Sequence, residues 1–229
     1  MTELSKEELL AQIEDLSRQL TEVNQEKADL EILLETITEH SKVQAFNQER
    51  ESQGYSPIQV GMGIHLGHMM VGVVGEQDRL QEDTLSDTVN LTCRWEELTK
   101  YYGVSMVISG DVLERLSHPE QYKVRSIDRA IVKGRSQPIT AYEVLHVETE
   151  FIQTLKLQTL PDFEQGFDHY RNGDLKADQT CFKQVLSANP LDKTVKLYLK
   201  RIAQLANQGI PKNWRGIWVF TEKSGCIKK

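Results

Sequence analysis

Apolar residues near the N-terminus alternate in steps of four and three, which is the spacing of a coiled-coil seam. The pattern predicts a coiled-coil dimerisation helix over residues 1–41, with a single amphipathic helix packed on its own domain as the alternative. A lysine, Lys27, interrupts the seam, which lowers stability but restricts register and strand number and so favours a parallel dimer. The seam positions are Leu9, Ile13, Leu16, Leu20, Val23, Leu30, Leu34 and Ile37.

The middle of the chain, residues 42–147, changes to alternating α and β patterns and predicts one layered α+β domain. A polar helical segment, AFNQERE, is broken by Gly54 and Pro57. Ile58–Leu66 then alternates as a strand, and Met69–Val74 is expected to return beside it as a hairpin.

A helix is predicted next, with Ser86 as its N-cap, Asp87 in its first turn and Gly103 at its end. Its apolar face comprises Leu91, Trp95, Leu98 and Tyr102. The remaining predicted elements are a strand at Val104–Ile108, a helix at Val112–Leu116, a bent strand or hairpin over Tyr122–Ile127 and Ala130–Val132, and a strand at Ile139–Leu145.

The last region, residues 148–229, has helical periodicity and a spacing close to that of one tetratricopeptide (TPR) unit. Its two predicted helices meet near Gly173, and such a unit would pack on the helix predicted at Val195–Asn207 or on a partner. In the tail, we expect Trp214, Trp218 and Phe220 to form a packing strap rather than a binding site. The TPR-like positions are Phe163, Gly166, Tyr170, Gly173, Ala177, Phe182 and Pro190.

Composition excludes several partners. The net charge of -7 and the pI near 5.5 leave no basic stripe, so nucleic acid is not an expected partner. The N-terminus carries no signal-peptide pattern, and no segment approaches the ~20 apolar residues that span a bilayer. Cys93, Cys181 and Cys226 lack metal-ligand spacing, so reduced thiols in a cytoplasmic protein are expected.

The candidate chemistry lies around the predicted middle helix. Asn90 and Arg94 are four residues apart and share one stripe of it, where an amide and a guanidinium suit an anionic oxygen. Asp83, just before the helix, could accept a hydrogen bond from a base or sugar, and Lys133 lies beside Gly134 on a predicted turn where it could meet phosphate. Spacing alone leaves open an ordinary solvated helix face.

Two other motifs carry less chemistry. The run GMGIHLG lies inside a predicted strand, which argues against a dinucleotide fingerprint, because that fingerprint opens a helix after a strand. His65 and His68 are predicted to be structural rather than metal ligands, since no carboxylate or cysteine partner is near them in sequence.

Three segments, IQVGMGIHLGHMMVGVVGE, DTLSDTVNLTCRWEELTKYYGVSMVIS and AIVKGRSQPITAYEVL, resemble the C-terminal part of a class III adenylate or guanylate cyclase catalytic domain. The resemblance spans about Lys42–Leu145. The coil ahead of it and the repeat behind it resemble cyanobacterial signalling cyclases. It implies a ferredoxin-like domain that works as a head-to-tail dimer, in which one protomer's aspartates hold metal ions and the other protomer's helix holds ATP or GTP.

Carried over to this sequence, the resemblance implies that Asp83 reads the purine, in the form that selects adenine. It implies that Asn90 orients the ribose and that Arg94 stabilises charge at the reacting phosphate. Lys133 is implied to meet the terminal phosphates.

The metal-binding half of that family's site has no counterpart in the sequence, because no aspartate occurs from Leu30 to Gln77. We therefore expect an incomplete cyclase domain that is inactive alone, with no cofactor of its own and with Mg²⁺ or Mn²⁺ only where a partner supplies the aspartates. The expected partners are a second copy or a full-length cyclase, paired through the coil. The alternatives are a non-catalytic coiled-coil and TPR interaction protein of intracellular signal transduction, or a gene remnant that expresses poorly.

Overall fold

The computed structural model describes residues 6–67, 70–76, 79–85, 87–116, 118–131 and 138–219. The chain divides into two compact units. The first comprises residues 1–57 with 114–119, and the second comprises residues 58–113 with 120–229. The mixed α and β class expected from the sequence is confirmed.

The first unit is built on one long helix, α1 (Lys6–Ser52), of 47 residues. The predicted coil and the AFNQERE segment belong to this single continuous helix. The predicted break is confirmed at Gly54, whose φ of +83° lies in the left-handed region that favours glycine. On α1, Ile32, Leu34 and Phe46 are about half exposed in the single chain. The pairing of α1 as a coiled coil stays a prediction.

The second unit contains a five-stranded sheet, a separate two-stranded hairpin and most of the remaining helices. The strands are β1 (Met62–Ile64), β2 (Met70–Glu76), β3 (Arg79–Leu85), β4 (Met106–Ser109), β5 (Val124–Ile131), β6 (Ile139–Val144) and β7 (Trp218–Val219). The helices that follow α1 are α2 (Asp87–Tyr102), α3 (Gly110–Arg115), α4 (Glu150–Gln158), α5 (Leu160–Asn172), α6 (Leu175–Ala188) and α7 (Lys193–Gln208). Two short 3-10 turns lie at Pro119–Gln121 and Leu145–Val147.

The strands of the larger sheet follow the order β1-β4-β6-β5-β7. β1 runs parallel to β4, which requires the crossover that contains α2, and β7 runs parallel to β5. The other neighbours, β4 with β6 and β6 with β5, are antiparallel. The predicted bend is confirmed in β5, where the register with β6 shifts between Ser126 and Asp128.

The predicted hairpin of Ile58–Leu66 with Met69–Val74 is wrong. β2 pairs instead with β3, a strand that the sequence analysis did not predict, and Glu76 lies opposite Arg79. Only two residues separate these strands, so their antiparallel pairing closes the shortest loop available and wins over the more distant partner.

Helix α2 covers the sheet with the predicted apolar face. Leu91, Trp95, Leu98 and Tyr102 are all buried, and Val107 of β4 and Ile127 of β5 lie in the same core. The predicted end of the helix is also confirmed, because Gly103 has a φ of +70°.

The C-terminal helices have a core of their own, rich in aromatic rings. The hairpin of α5 and α6 turns at Gly173, whose φ is +78°, and α7 packs against it as predicted. The resemblance of this hairpin to a TPR unit stays a prediction. The residues of this core are Phe163, Phe167, Tyr170, Phe182, Val185, Val195, Tyr198, Ile202 and Leu205.

The predicted packing strap is confirmed at Trp214. The indole Nε1 of Trp214 donates a hydrogen bond to the Tyr170 carbonyl oxygen at 2.9 Å, and the two rings meet edge to face. Trp218 lies in β7, which pairs with β5 and so ties the tail to the sheet. Phe220 lies outside the described residues.

Candidate nucleotide-binding site

The structure places three of the four predicted site residues on consecutive elements. Asp83 lies in β3 opposite Gly72 of β2, rather than in a connection before the helix. Asn90 and Arg94 follow on α2, one turn apart. Lys133 lies outside the described residues, so the predicted phosphate contact there is untested.

Strand β3 was not predicted, because its residues Gln81, Glu82 and Asp83 form a polar run. The available signal was the valine-rich β2, which needs a partner, followed at a separation of two residues by a segment of strand length. Asp83 is therefore held by strand pairing rather than by a free connection.

Arg94 lies beside the core face of α2. Its neighbours Leu91 and Trp95 are buried, whereas Arg94 itself is partly exposed. It forms no ion pair with any residue whose side chain the structure describes. A partly accessible guanidinium of this kind can donate two hydrogen bonds to an anionic group such as a phosphate.

The glycine run before β2 has a packing role. A Cβ atom added to Gly63 would overlap the backbone nitrogen of Glu96 and lie 2.7 Å from the carbonyl carbon of Trp95. A Cβ at Gly67 would lie 2.5 Å from the Thr88 hydroxyl oxygen. The glycines therefore let α2 approach the strand closely. The run is followed by strand β2 rather than by a helix, in agreement with the argument against a dinucleotide fingerprint.

His65 is buried under the same helix. Its Nδ1 lies 2.9 Å from the Ser109 hydroxyl oxygen and 3.8 Å from the Asp111 carboxylate, and its ring lies 6.2 Å from that of Trp95. These contacts join β4 and α3 to the residue after β1, and the structural role of His65 stays a prediction that they support. His68 lies outside the described residues.

A metal ion is what the resemblance implies for the complete two-protomer site. Within the described ranges, no group of three or more His, Cys, Asp or Glu side chains could hold one. Cys93 and Cys181 are free thiols, and Cys226 lies outside the described part of the chain.

A family comparison decides which proteins this arrangement of strand, hairpin and helix is related to. The model of the adenylate and guanylate cyclase catalytic domain matches residues 15–146, which is more than half of the chain. The chain belongs to this cyclase family. The match begins inside α1, ahead of Lys42, where the resemblance was expected to begin.

Individual relatives agree with the family. The chain is 30% identical over 151 residues to the terminal-differentiation specific adenylate cyclase of Dictyostelium discoideum, covering 66% of this chain and 7% of that protein. It is 41% identical over 104 residues to the adenylate cyclase of Anabaena cylindrica, covering 43% of this chain and 21% of that protein. The cyclase-family chain thus spans only a small part of the length of these curated relatives.

Among solved structures, the adenylyl cyclase CyaB of P. aeruginosa is similar with a TM-score of 0.40 and 24% sequence identity. The similarity covers 48% of this chain and 54% of that one. Separately, none of the helices in the described residues has the length and apolar character needed to cross a membrane.

Proposed function

We propose that this cyclase-family chain is an incomplete class III subunit, inactive alone, that supplies the substrate-side half of a two-protomer nucleotide site. The observation that carries the proposal is the placement of Asn90 and Arg94 on α2 in a chain with no aspartate from Leu30 to Gln77. The first feature supports contact with nucleotide. The second supports the lack of metal-binding residues.

The reaction assigned to the mixed site is the conversion of ATP to cAMP. The ribose 3′ oxygen attacks the α-phosphorus, loses its proton and forms the cyclic ester, while pyrophosphate leaves with the electron pair of the broken P–O bond. Negative charge at the reacting phosphate calls for a fixed positive donor, and Arg94 has the accessibility that this role needs. Activation of the attacking oxygen falls to the partner protomer.

The other residues keep the roles that the resemblance implies. Asn90, one turn before Arg94, orients the ribose, and Asp83 on the preceding strand selects adenine. Lys133 meets the terminal phosphates. With GTP, the carboxylate of Asp83 would face the carbonyl oxygen of the purine. Both groups accept hydrogen bonds and neither can donate one, so we assign ATP as the substrate.

Helix α1 supplies the means of pairing in this proposal. The seam residue Leu34 is 48% exposed in the single chain, which is the state expected of a coiled-coil position before its partner binds. A homodimer would contain two copies of the substrate-side residues but no metal-binding aspartates. The productive assembly is therefore a heterodimer with a full-length cyclase.

A complementation assay tests this function. The partner is the Anabaena cylindrica adenylate cyclase with alanine at the two positions that align with Asn90 and Arg94, and with residues 1–41 of this chain fused ahead of its matched segment. Each protein alone should form no cAMP with Mg²⁺ or Mn²⁺. The mixture should form cAMP, and co-purification establishes that the two chains associate.

Two variants of this chain make the assay specific. Arg94→Ala should abolish the activity of the mixture. Lys100→Ala should leave it unchanged, because Lys100 is an exposed base at the far end of the same helix, paired with Glu96 at 2.8 Å. Associated chains that form no cAMP would reject the catalytic proposal, and so would cAMP formation by this chain alone.

A second candidate is a non-catalytic interaction protein of intracellular signal transduction. The observation that favours it is the pair of exposed apolar residues on the C-terminal region, Phe151 at 66% and Leu191 at 60% exposure. Association without cAMP formation, lost on replacement of these two residues by serine, would support this function instead.

A further inference from the structure

The C-terminal helix α7 packs directly on the end of α2. The Thr194 hydroxyl donates a hydrogen bond to the carbonyl oxygen of Tyr102, the last residue of α2, at 3.2 Å. A Cβ atom at the next residue, Gly103, would lie 2.5 Å from the Cδ of Lys193. Leu197, from the same helix, packs against the core that α2 forms with the sheet.

One buried cluster joins three elements at this junction. Nη1 of Arg201 on α7 donates to the Asp128 carboxylate of β5 at 2.8 Å, and its Nη2 donates to the Tyr102 hydroxyl oxygen at 3.1 Å. The Tyr102 hydroxyl in turn donates to the same Asp128 carboxylate. All three side chains are buried, so their mutual hydrogen bonds replace those lost to water. Asp128 accepts a further hydrogen bond from the Arg129 backbone N–H at 2.7 Å.

The protonation states fit this arrangement. Burial raises the pKa of Tyr102 well above its ordinary value, and the neighbouring Asp128 charge raises it further, so the phenol stays neutral and can donate. Burial also raises the pKa of Asp128, while Arg201 and Tyr102 oppose that rise by stabilising the carboxylate. The guanidinium of Arg201 is thus the charge that holds the cluster together.

A second buried ion pair provides an internal comparison. Nη1 of Arg125 on β5 donates to the carboxylate of Asp192 at 2.6 Å. Asp192 is the N-cap of α7 and accepts from the Val195 backbone N–H at 3.1 Å. This pair links α7 to β5 as Arg201 does, but Arg125 and Asp192 form no side-chain hydrogen bond with the described residues of α2.

From this difference we infer that Arg201 is a positioning residue through which the C-terminal helices set the placement of α2 and of the side chains on it. Tyr102 and Arg94 are eight residues apart on one helix, about 12 Å along its axis, so a shift at one end reaches the other. The effect on nucleotide rests on the proposed function, whereas the effect on α2 does not.

Amide hydrogen exchange of the full chain tests the inference without nucleotide. In Arg201→Met, amides of residues 97–102 should exchange about tenfold faster relative to those of β4, because the hydroxyl of Tyr102 loses a charged partner. In the matched control Asp192→Asn, which also breaks one ionic link between α7 and β5, the ratio of α2 to β4 exchange should stay unchanged. If exchange of the α2 amides is equally faster in both variants, Arg201 only stabilises the protein as a whole, and the inference is overturned.

Tyr102→Phe keeps the test decisive if Arg201→Met does not fold. It removes one hydroxyl, leaves Arg201 and Asp128 paired, and should accelerate the same α2 amides selectively. No selective change in Tyr102→Phe would overturn the inference. In the complementation assay, Tyr102→Phe should lower the rate at which the mixture forms cAMP. If the α2 amides exchange faster but the rate of cAMP formation does not fall, the result would count against the proposed function and not against the positioning role of Arg201.

Discussion

The guanidinium carbon of Arg125 lies 4.3 Å from the centroid of the Phe163 ring, so a strand residue of the sheet stacks on an aromatic residue of α5. The same guanidinium donates to Glu143 of β6 through Nε at 3.0 Å and to Asp192 of α7. Lys156 of α4 completes the group with a hydrogen bond to Glu143. Arg125 thus connects two strands with α5 and the start of α7, and Glu143 extends the buried group to α4.

We expect Arg125→Met to destabilise the protein by about 3–5 kcal/mol, because it leaves the carboxylates of Glu143 and Asp192 buried with less opposing charge. Opposing effects act on the pKa of Asp192. Burial raises it, but the charge and the hydrogen bonds of the Arg125 guanidinium together outweigh burial, so the pKa lies below its ordinary value. Urea unfolding of the purified protein measures the change in free energy.

Lys100→Ala is the matched comparison for charge removal. Its ion pair with Glu96 is exposed, so its loss should cost about 0.3–0.5 kcal/mol. A similar small loss in Arg125→Met would show that the buried group contributes little to stability.

Gly63→Ala should destabilise the protein by about 1–3 kcal/mol, because the added methyl overlaps the backbone of α2 at Glu96 and nothing flexible can move aside. Gly110→Ala is the control, since its nearest neighbours, atoms of Thr140, would lie at 3.7 Å, an ordinary contact. Thermal unfolding monitored by circular dichroism separates the two. Equal midpoints would mean that α2 does not lie against the glycine run.

The helical hairpin should lose stability as the pH rises. Burial raises the pKa of Asp178 on α6 to about 6, and Asp174 adds to this effect while the Gln179 backbone N–H and His169 oppose it. The folded state therefore binds this proton more tightly than the unfolded state. Its stabilising contribution is complete below the ordinary aspartate pKa near 4 and is lost as pH rises through about 6.

Asp178→Asn should remove that dependence. Relative to the unchanged protein, the variant should gain on the order of 2 kcal/mol of unfolding free energy between pH 4 and pH 7.5. Asp168→Asn, at an exposed position on α5, should keep the original pH dependence. Urea titrations at the two pH values measure both, and parallel curves for Asp178→Asn and the unchanged protein would contradict the expectation.

Leu34→Glu should weaken self-association of the chain at least about tenfold, because it places a charge in the predicted seam of α1. Thr38→Glu is the control on the same helix, outside the seam and exposed. Sedimentation equilibrium gives the dissociation constants. Equal constants for both variants would place the pairing surface elsewhere.

Local periodicity was sufficient to predict α2, whose buried face of Leu91, Trp95 and Tyr102 follows directly from 3.6-residue spacing. It was also sufficient for the turn at Gly173. Strand partners were not predictable in the same way, because alternation in β2 indicates a strand but does not choose between β1 and β3.

The buried charges were the least predictable feature. In β5, Arg125 and Asp128 read as ordinary polar positions, and their partners Asp192 and Arg201 lie 67 and 73 residues further along the chain. No local pattern reveals a partner at that separation. In the candidate site, by contrast, the spacing of Asn90 and Arg94 within one helix was enough to place them together.

The ionic contacts between β5 and α7 also constrain how this protein can change through evolution. A recombination event that exchanged the C-terminal helices for those of another protein would leave Arg125 and Asp128 facing side chains that had not been selected with them. We therefore expect position 125 to covary with 192, and 128 with 201, across descendants of this chain. The five-stranded sheet and the helices α4 to α7 would then be inherited together, as one gene segment.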